Sequence, residues 1–554
     1  MNNKKLFQKQ VFLIVICLHA SILTFSQKCN IILGRPSDQA ITASIMFDQS
    51  VDFYIDYGTQ SNTYTSKSVA FTASSNKPEE IDLTNLAANT KYYYVVNYKT
   101  TTTTSYQKTP EYSFHTQRAK GAEFTFTVEA DEHLYDKKGD RATYQTCLNN
   151  QAKDAPDFMM TLGDIFGDDH NPNTITSYEL DTLHRSYRPF IGSLCHSVPF
   201  YVCLGNHEGE MDFYMNKKPG ENLAVWGTQW RKYYYPNPYP NDFYSGNTDN
   251  ELYNIGNPEN YYAWTWGDAQ FIVLDAYRDQ NDTTAKPKGW DWSLGKKQYD
   301  WLRTTLETST AKYKFVFCHH INGQGRGGIT NATMNEWGGN DLSGKKLTYN
   351  FDKYRPGWGK PIHKLFVDNG VNIFFQGHDH LFAKEVLDGV VYQEVPMPSD
   401  SSYEIGMLAN ADAYTTDTIG GAGHIRVKVK ESCITVDFVR TYLPKDTLAD
   451  HKNGEIAFSY TLGTCDTTGT TAHLFEKSFQ ETIKMSPNPA TDKLVIQAAE
   501  DFLIQKVTLH NAFGQQIKES NSNELEISEF PNGIYLVNIT SGSQTITKKL
   551  IIQH

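Results

Sequence analysis

The stretch FTFTVEADEH, residues 124–133, begins as an alternating apolar run and ends in two acidic residues and a histidine. Asp131 and His133 are two positions apart, so their side chains would face the same side of an extended segment. Taken alone, an aspartate and a histidine at a strand end are commonplace polar groups that meet water. The stretch therefore leaves two interpretations open, one half of a metal site or a polar strand end.

Four later apolar runs end in polar side chains in the same way. Continuously apolar runs are typical of strands buried on both faces, as in layered α/β folds. The loops that leave such strands converge, and ligand sites form there. Each of the five polar strand ends, taken alone, is explained as a simple turn, but the occurrence of all five in this order favours a shared site. The ends are Asp131-Glu132-His133, Gly163-Asp164, Gly205-Asn206-His207-Glu208, His319-His320 and Gly377-His378-Asp379-His380.

The residue types at these ends indicate a metal site. Aspartate, asparagine and several histidines offer mixed oxygen and nitrogen ligands, which suit zinc, manganese or iron. An all-oxygen calcium site would not use this many imidazoles. In an extended segment His378 and His380 share one side, and Asp379 points to the other.

The motifs D-x-H, GD, GNHE, a histidine after a strand, and G-H-x-H resemble the signature of the calcineurin-like metallophosphoesterases. The resemblance implies a central α/β core of four layers (αββα) that binds two divalent ions, with zinc, manganese or iron left open. It also implies metal ligands at seven positions of this sequence. The first ion would be held by Asp131, His133 and His380, the second by Asn206, His319 and His378, and Asp164 would bridge both.

Three further assignments rest on the same resemblance or on the glycine-rich loop that follows His320. His319 fits better than His320, because the family's ligand comes directly after the apolar run. His207 would be a catalytic residue that stabilises the phosphoryl oxygens or protonates the leaving alkoxide, oriented by Glu208. For Arg326 two interpretations stay open, contact with a phosphate oxygen or a solvent-exposed loop residue.

The resemblance implies an enzyme that hydrolyses small phosphorylated substrates. Two metal ions about 3.5–4 Å apart acidify a bridging water and neutralise phosphoryl oxygens during attack, so the leading prediction is a phosphomonoesterase. A phosphodiesterase or nucleotide pyrophosphatase on the same core is the close alternative, because the shared motifs do not separate them. A catalytically inactive surface-binding protein is the second alternative, although none of the seven ligand positions has lost its ligand.

The β-rich segment before this core makes the chain similar to the purple acid phosphatase branch, with two departures. In that branch the motif GDxxY supplies a tyrosine to ferric iron, whereas GDIFG here has Gly167 at that position. The first motif is commonly D-x-G in that branch and is D-x-H here, so His133 would supply the missing ligand. We therefore predict a divalent ion pair and a colourless protein.

The chain is predicted to be multidomain, with a β-sandwich on either side of the αββα core. A basic start and a short apolar run predict a signal peptide, and short alternating strands predict a fibronectin type III-like domain. The segments "SPNPATDKLVI" and "NGIYLV" resemble the type IX (Por) C-terminal sorting domain, which implies the type IX machinery as a partner and a secreted or cell-surface location. The predicted segments are the signal peptide (1–27), the fibronectin type III-like domain (28–118), the metallophosphoesterase domain (119–462), a linker (463–480) and the sorting domain (481–554).

Charge and cysteine content restrict the partners and the redox state. A net charge of −12 argues against nucleic-acid or anionic-membrane binding, and no transmembrane segment is expected after signal cleavage. An anionic substrate would then need a local positive charge, which metal ions supply. Loss of Cys17 with the signal leaves an odd number of the 8 cysteines. Two pairings stay open, Cys195 with Cys203 or Cys433 with Cys465.

Overall fold

A computed structural model of the chain divides into two compact units after Cys465. The predicted signal peptide and most of the predicted linker lie outside the described residues. Those described are 29–100, 102–167, 171–215, 217–280, 288–321, 326–343, 346–405, 411–416, 418–448, 451–465, 483–497, 504–511, 515–541 and 544–554.

The first unit begins with a β-sandwich, as predicted. Its strands are β1 (Cys29–Gly34), β2 (Ile41–Phe47), β3 (Val51–Gly58), β4 (Ser66–Lys67), β5 (Phe71–Ala73), β6 (Pro78–Leu83), β7 (Lys91–Thr100), β8 (Gln107–Lys108) and β9 (Tyr112–His115). Strands β1, β2 and β6 form one sheet, and the others pair around β3 and β7 in the second. Alternate residues of β3, namely Val51, Phe53 and Ile55, are fully buried between the sheets, as the period of two requires.

The rest of the first unit is built on two larger sheets. Its strands are β10 (Phe124–Glu129), β11 (Phe158–Thr161), β12 (Phe200–Val202), β13 (Ser245–Gly246), β14 (Tyr262–Trp266), β15 (Ala269–Val273), β16 (Tyr313–Phe317), β17 (Asn340–Ser343), β18 (Lys346–Tyr349), β19 (Ile373–Gln376), β20 (Phe382–Leu387), β21 (Val390–Glu394), β22 (Thr418–Ile419), β23 (Gly423–Val429), β24 (Cys433–Arg440) and β25 (Ile456–Gly463). One sheet has the order β12-β11-β10-β23-β24-β25, and the other β13-β14-β15-β16-β19-β21-β20-β22. Strands β17 and β18 form a separate hairpin.

Helices cover the outer faces of these sheets. They are α1 (Arg141–Asp154), α2 (Ser177–Cys195), α3 (Asp212–Met215), α4 (Leu223–Tyr234), α5 (Gly295–Thr308), α6 (Ile329–Ala332), α7 (Asn335–Gly338), α8 (Phe351–Tyr354) and α9 (Ile362–Asp368). Helices α1, α2 and α4 share a core with the outer face of the first sheet, and α5, α7 and α9 with that of the second. Helix α2 begins at a capping box between Thr176 and Glu179.

An aromatic core joins the two sheets. Phe126 of β10 lies with its ring centroid 5.2 Å from that of Phe271, 5.3 Å from that of Phe315 and 6.2 Å from that of Phe375, all in the second sheet. Helix, sheet, sheet and helix therefore stack in that order, which confirms the predicted four-layer αββα core.

Parallel strands in both sheets determine where the loops meet. Strand β10 is parallel to β11, and β11 to β12. In the second sheet β15, β16, β19 and β21 are parallel in turn. The carboxyl ends of parallel strands lie at one edge of a sheet, so the loops after β10, β11, β12, β16 and β19 all leave at such edges.

The second unit is a small β-sandwich, as predicted. Its strands are β26 (Lys484–Ser486), β27 (Lys493–Gln497), β28 (Lys506–His510), β29 (Gln516–Ser520), β30 (Glu524–Glu526), β31 (Gly533–Ser541) and β32 (Gln544–Ile552). Strands β26, β27 and β30 form one sheet, and β29, β28, β31 and β32 the other. Its core includes the fully buried side chains of Leu494, Val507, Leu509, Val537 and Leu550.

Of the two cysteine pairings left open, the structure contains the Cys433–Cys465 disulfide. Cys195 and Cys203 are separate buried thiols. None of the helices in the described ranges is both long and apolar enough to cross a bilayer.

Candidate metal centre

The backbone at the strand ends turns sharply at most of the predicted ligands. Left-handed backbone costs a residue other than glycine roughly 1–2 kcal/mol, and such strain concentrates at functional sites. Five of the seven predicted ligands adopt it, with φ of 63° at Asp131, 45° at His133, 57° at Asp164, 78° at His378 and 55° at His380.

The two predicted aspartate ligands each use one carboxylate oxygen to hold a loop. Asp131 Oδ2 accepts the backbone N–H of His378 at 2.8 Å, and Asp164 Oδ1 accepts that of His207 at 2.7 Å. The other oxygens, Asp131 Oδ1 and Asp164 Oδ2, are buried and accept no hydrogen bond within the described residues. Buried polar atoms without a partner are costly, so both oxygens fit a cation.

The predicted ligands of the first ion converge on Asp131 Oδ1. His380 Nε2 lies 3.6 Å from this oxygen and His133 Nε2 3.9 Å, and the two nitrogens are 3.1 Å apart. The other ring nitrogen of His133 contacts the Tyr135 hydroxyl at 2.8 Å and an Asp136 oxygen at 3.3 Å. Such contacts at the far nitrogen orient a ligating imidazole, so Nε2 of His133 faces the cluster.

The predicted ligands of the second ion lie around Asp164 Oδ2. His319 Nε2 is 3.2 Å from this oxygen and forms no hydrogen bond itself within the described residues. Its Nδ1 lies 2.8 Å from the Leu162 carbonyl oxygen, to which it can donate. Asn206 Oδ1 is a further buried acceptor without a partner there. Asp164, His319 and His378 offer ligand atoms that all lie within 4.8 Å of one another.

The choice between the two consecutive histidines follows from their directions. His319 Nε2 points to Asp164, whereas the His320 ring packs edge-on against Tyr277 and Trp292, at centroid distances of 5.0 and 5.9 Å. This geometry supports His319 as the ligand.

The electrostatics of the cluster call for a positive charge. Burial raises the pKa of Asp131 to about 6. Burial opposes ionisation of Asp164 too, but His319 and His207 hold its pKa well below the usual range. Burial also opposes the charge on His319, yet Asp164 and Asp131 raise its pKa to about 9. Without a metal the carboxylates are balanced by a proton on His319, and a bound cation could replace that proton.

His207 lies at the more open side of the cluster. Its side chain is 17% exposed, and its Nε2 is 3.8 Å from Asp164 Oδ2. Its ring centroid is 5.2 Å from that of His133. His207, His133 and Asp164 also lie close enough together to share an ion, so the geometry is compatible with a substrate-facing role or with ligation.

Glu208, which we predicted to orient His207, has its described contacts with the backbone. Its buried carboxylate accepts the backbone N–H groups of Asp164 at 2.9 Å, Ile165 at 2.8 Å and Gly205 at 2.6 Å. It therefore holds together the two loops that carry Asp164 and Asn206. The sequence does not predict these hydrogen bonds, because Asp164 and Glu208 are 44 positions apart.

Gly167 lies where backbone segments meet. A Cβ built there would collide with the carbonyl oxygen of His207 and the Cα of Glu208. This backbone therefore has no room for a tyrosine side chain at position 167.

Sequence and structure comparisons agree with the fold. Residues 124–382 match the calcineurin-like phosphoesterase family, and residues 484–553 match the secretion system C-terminal sorting domain. No curated protein matches the chain. Similar solved structures include PhoD, at 16% identity and TM-score 0.56 over 78% of this chain and 90% of that chain. Another is purple acid phosphatase PPD1 from yellow lupin (Lupinus luteus) seeds, at 14% identity and TM-score 0.51 over 80% and 77%.

The fold, the site and the family match together define a metal-dependent phosphoric ester hydrolase. More specifically, its residues 124–382 are similar to calcineurin-like phosphoesterases, and its residues 484–553 are similar to a secretion sorting domain. The two solved structures, at these identities, support the fold alone.

Proposed function

We propose that the protein is an exported phosphomonoesterase that works with two divalent metal ions. The observation that carries the proposal is the set of buried ligand atoms without hydrogen-bond partners among the described residues. These atoms are Asp131 Oδ1, Asp164 Oδ2, Asn206 Oδ1 and His319 Nε2. The first ion is assigned to Asp131, His133 and His380, the second to Asn206, His319 and His378, and the bridge to Asp164.

The protein's own residues have distinct tasks in this proposal. When bound, the two ions would supply Lewis acidity toward the phosphoryl oxygens and a nucleophile derived from water. Asp164 would serve both ligand groups, because its Oδ2 lies 3.8 Å from His133 Nε2 and 3.2 Å from His319 Nε2. His207, which is partly exposed, donates a proton to the leaving alkoxide or a hydrogen bond to a phosphoryl oxygen.

The charge of the site suits an anionic substrate. Two divalent ions outweigh the charges of Asp131 and Asp164, so the loaded centre is positive in a chain of net charge −12. Burial strengthens this local field, since low-dielectric surroundings screen charges less than water does.

The match to a sorting domain supports a location outside the cytoplasm. Residues 484–553 match a secretion sorting domain, and we assign the type IX machinery as its partner and the cell surface or the medium as its destination. The predicted signal peptide would carry the chain across the inner membrane first.

Metal analysis of the purified protein, combined with turnover of a phosphomonoester and a phosphodiester, tests the function. We expect about two ions per chain and faster turnover of the monoester. Faster turnover of the diester would replace the proposal with a phosphodiesterase. Fewer than two ions with no turnover of either ester would contradict it altogether.

A further inference from the structure

Arg326 is a cation beside the candidate metal centre that the proposed mechanism does not use. Its Nη1 donates to the carbonyl oxygen of His378, an assigned metal ligand, and to Asp379 Oδ1, each at 2.8 Å. The guanidinium therefore lies against the loop that carries two of the assigned ligands. Its side chain remains 29% exposed, so solvent and solutes reach part of it.

Asp379 holds this guanidinium in place. Asp379 is almost fully buried, and its second oxygen accepts the backbone N–H of Gly327 and the hydroxyl of Tyr414, both at 2.7 Å. The Tyr414 hydroxyl also lies 3.0 Å from a carboxylate oxygen of Glu394. A side chain that is fixed by such an outer layer of hydrogen bonds is preorganised for binding.

The guanidinium retains unused hydrogen-bond donors. An arginine offers five N–H groups in a planar fork, and the contacts to His378 and Asp379 use only Nη1. Nε and Nη2 form no hydrogen bond within the described part of the chain. These donors match the fork geometry with which arginine binds phosphate oxygens.

The charge of Arg326 reaches the metal ligands. Its guanidinium lies directly against His378, because Nη1 is 2.8 Å from the carbonyl oxygen of that residue. A cation at this position would therefore also act on an anion bound beside His378. A phosphomonoester near neutral pH carries close to two negative charges and a diester one, so an additional cation favours the monoester.

We propose that Arg326 is a substrate-binding residue whose Nε and Nη2 contact a non-bridging phosphoryl oxygen, and that it gives the site its preference for monoester dianions. This inference rests on the proposed phosphomonoesterase function. Asp379 and Tyr414 are positioning residues for Arg326 and contact no substrate.

The test compares Arg326→Gln and Arg326→Lys with the wild-type metalloenzyme. Arg118→Gln is the matched control, because Arg118 is 28% exposed and paired with Asp157 at the amino end of β11, away from the ligand loops. The measurements are kcat/KM for p-nitrophenyl phosphate and bis(p-nitrophenyl) phosphate, calorimetric binding of inorganic phosphate, and metal content. A charge-assisted hydrogen bond predicts about a 10- to 100-fold loss of kcat/KM for the monoester in Arg326→Gln.

In Arg326→Gln we expect kcat/KM for the diester to fall by less than about a third of the factor found for the monoester. Phosphate binding should weaken in parallel with monoester turnover, and metal content should stay constant. Arg326→Lys should recover part of the loss, since it keeps the charge without the fork. Equal losses for both esters, loss of metal, or no change relative to Arg118→Gln would each overturn the inference. If the wild-type enzyme cleaves neither ester, the proposed function fails, and unchanged phosphate affinity in Arg326→Gln would separately refute the role of Arg326.

Discussion

His207 is the residue on which the proposed chemistry most directly depends. Its side chain is 17% exposed, whereas that of His133 is 1% exposed and that of His319 is fully buried. His133 and His319 each have Nδ1 in contact with another group, the Tyr135 hydroxyl and the Leu162 carbonyl oxygen, and this leaves Nε2 facing the cluster. His207 is instead attached to the centre through its backbone N–H, which donates to Asp164.

The His207→Ala variant should therefore keep its metal ions and lose turnover. We expect a loss of about 10²- to 10⁴-fold in kcat, the range for a general acid or base. His115→Ala, in the N-terminal sandwich, is the control for removal of a half-buried imidazole. Loss of one ion in His207→Ala would instead identify His207 as a ligand, and full activity would remove it from the mechanism.

Gly167 accounts for a spectroscopic prediction. Because the backbone of His207 and Glu208 occupies the space of a side chain at position 167, no tyrosinate can reach a metal ion from there. The protein loaded with divalent metal ions should therefore be colourless. An absorption band of the purple type in the visible spectrum would contradict this.

At the scale of elements, the loops after β11 and β12 act as one structure. Glu208 links them because its carboxylate accepts hydrogen bonds from backbone N–H groups of both loops, including those of Asp164 and Gly205. Left-handed backbone at Asp164 turns the chain so that its amide and its carboxylate face different partners. In the proposed site, the separation of the two ligand groups would thus depend on Glu208, which is not among the assigned ligands.

The Glu208→Gln variant should weaken metal binding by about 10- to 100-fold, as other changes behind metal ligands do. The amide NH₂ of glutamine would face backbone N–H donors, so two loop hydrogen bonds would be lost. Metal dissociation constants measure the effect, and Glu179→Gln, at the exposed start of α2, is the control. Wild-type metal affinity in a folded Glu208→Gln protein would show that the loops hold their shape without this link.

At the scale of the whole molecule, a buried histidine couples stability to pH. His184 of α2 packs against Phe166 and Tyr234, with ring centroids 4.8 and 5.5 Å away. Burial, aided by Arg231 and Arg188, lowers its pKa from 6.5 to about 3. The unfolded chain therefore binds a proton below pH 6.5 that the folded protein excludes, and stability falls as the pH drops.

Through this group, the free energy of unfolding should fall by about 1.4 kcal/mol for each pH unit between pH 6.5 and 3. The His184→Phe variant keeps an aromatic ring and removes the titration. Urea unfolding at pH 7 and pH 5 should show a smaller loss of stability in the variant, by about 2 kcal/mol. Equal losses in both proteins would mean that His184 is not buried as a neutral group.

Much of the fold was predictable because it depends on local periodicity. The strands predicted around "DFMMTLGDI" and "VNIFFQGHDH" correspond to β11 and β19, since continuous apolar runs are stable only inside a layered core. The helix predicted in "KKQYDWLRTTLETS" is α5, Gly295–Thr308. The disulfide was not predictable, because two pairings satisfied the same spacing rules and only strand pairing brings Cys433 to Cys465.

By itself, the sequence determined which residue types follow each buried strand, and with them the family resemblance and the predicted ligands such as Asp131 and His133. The tertiary structure decided which atoms of those ligands are available and what holds them. His133 and His380 lie 247 positions apart, yet their ring nitrogens are 3.1 Å from each other. Such contacts arise from the packing of two sheets, so chain spacing does not encode them, and neither the direction of Glu208 nor the orientation of Arg326 can be read from a strand end.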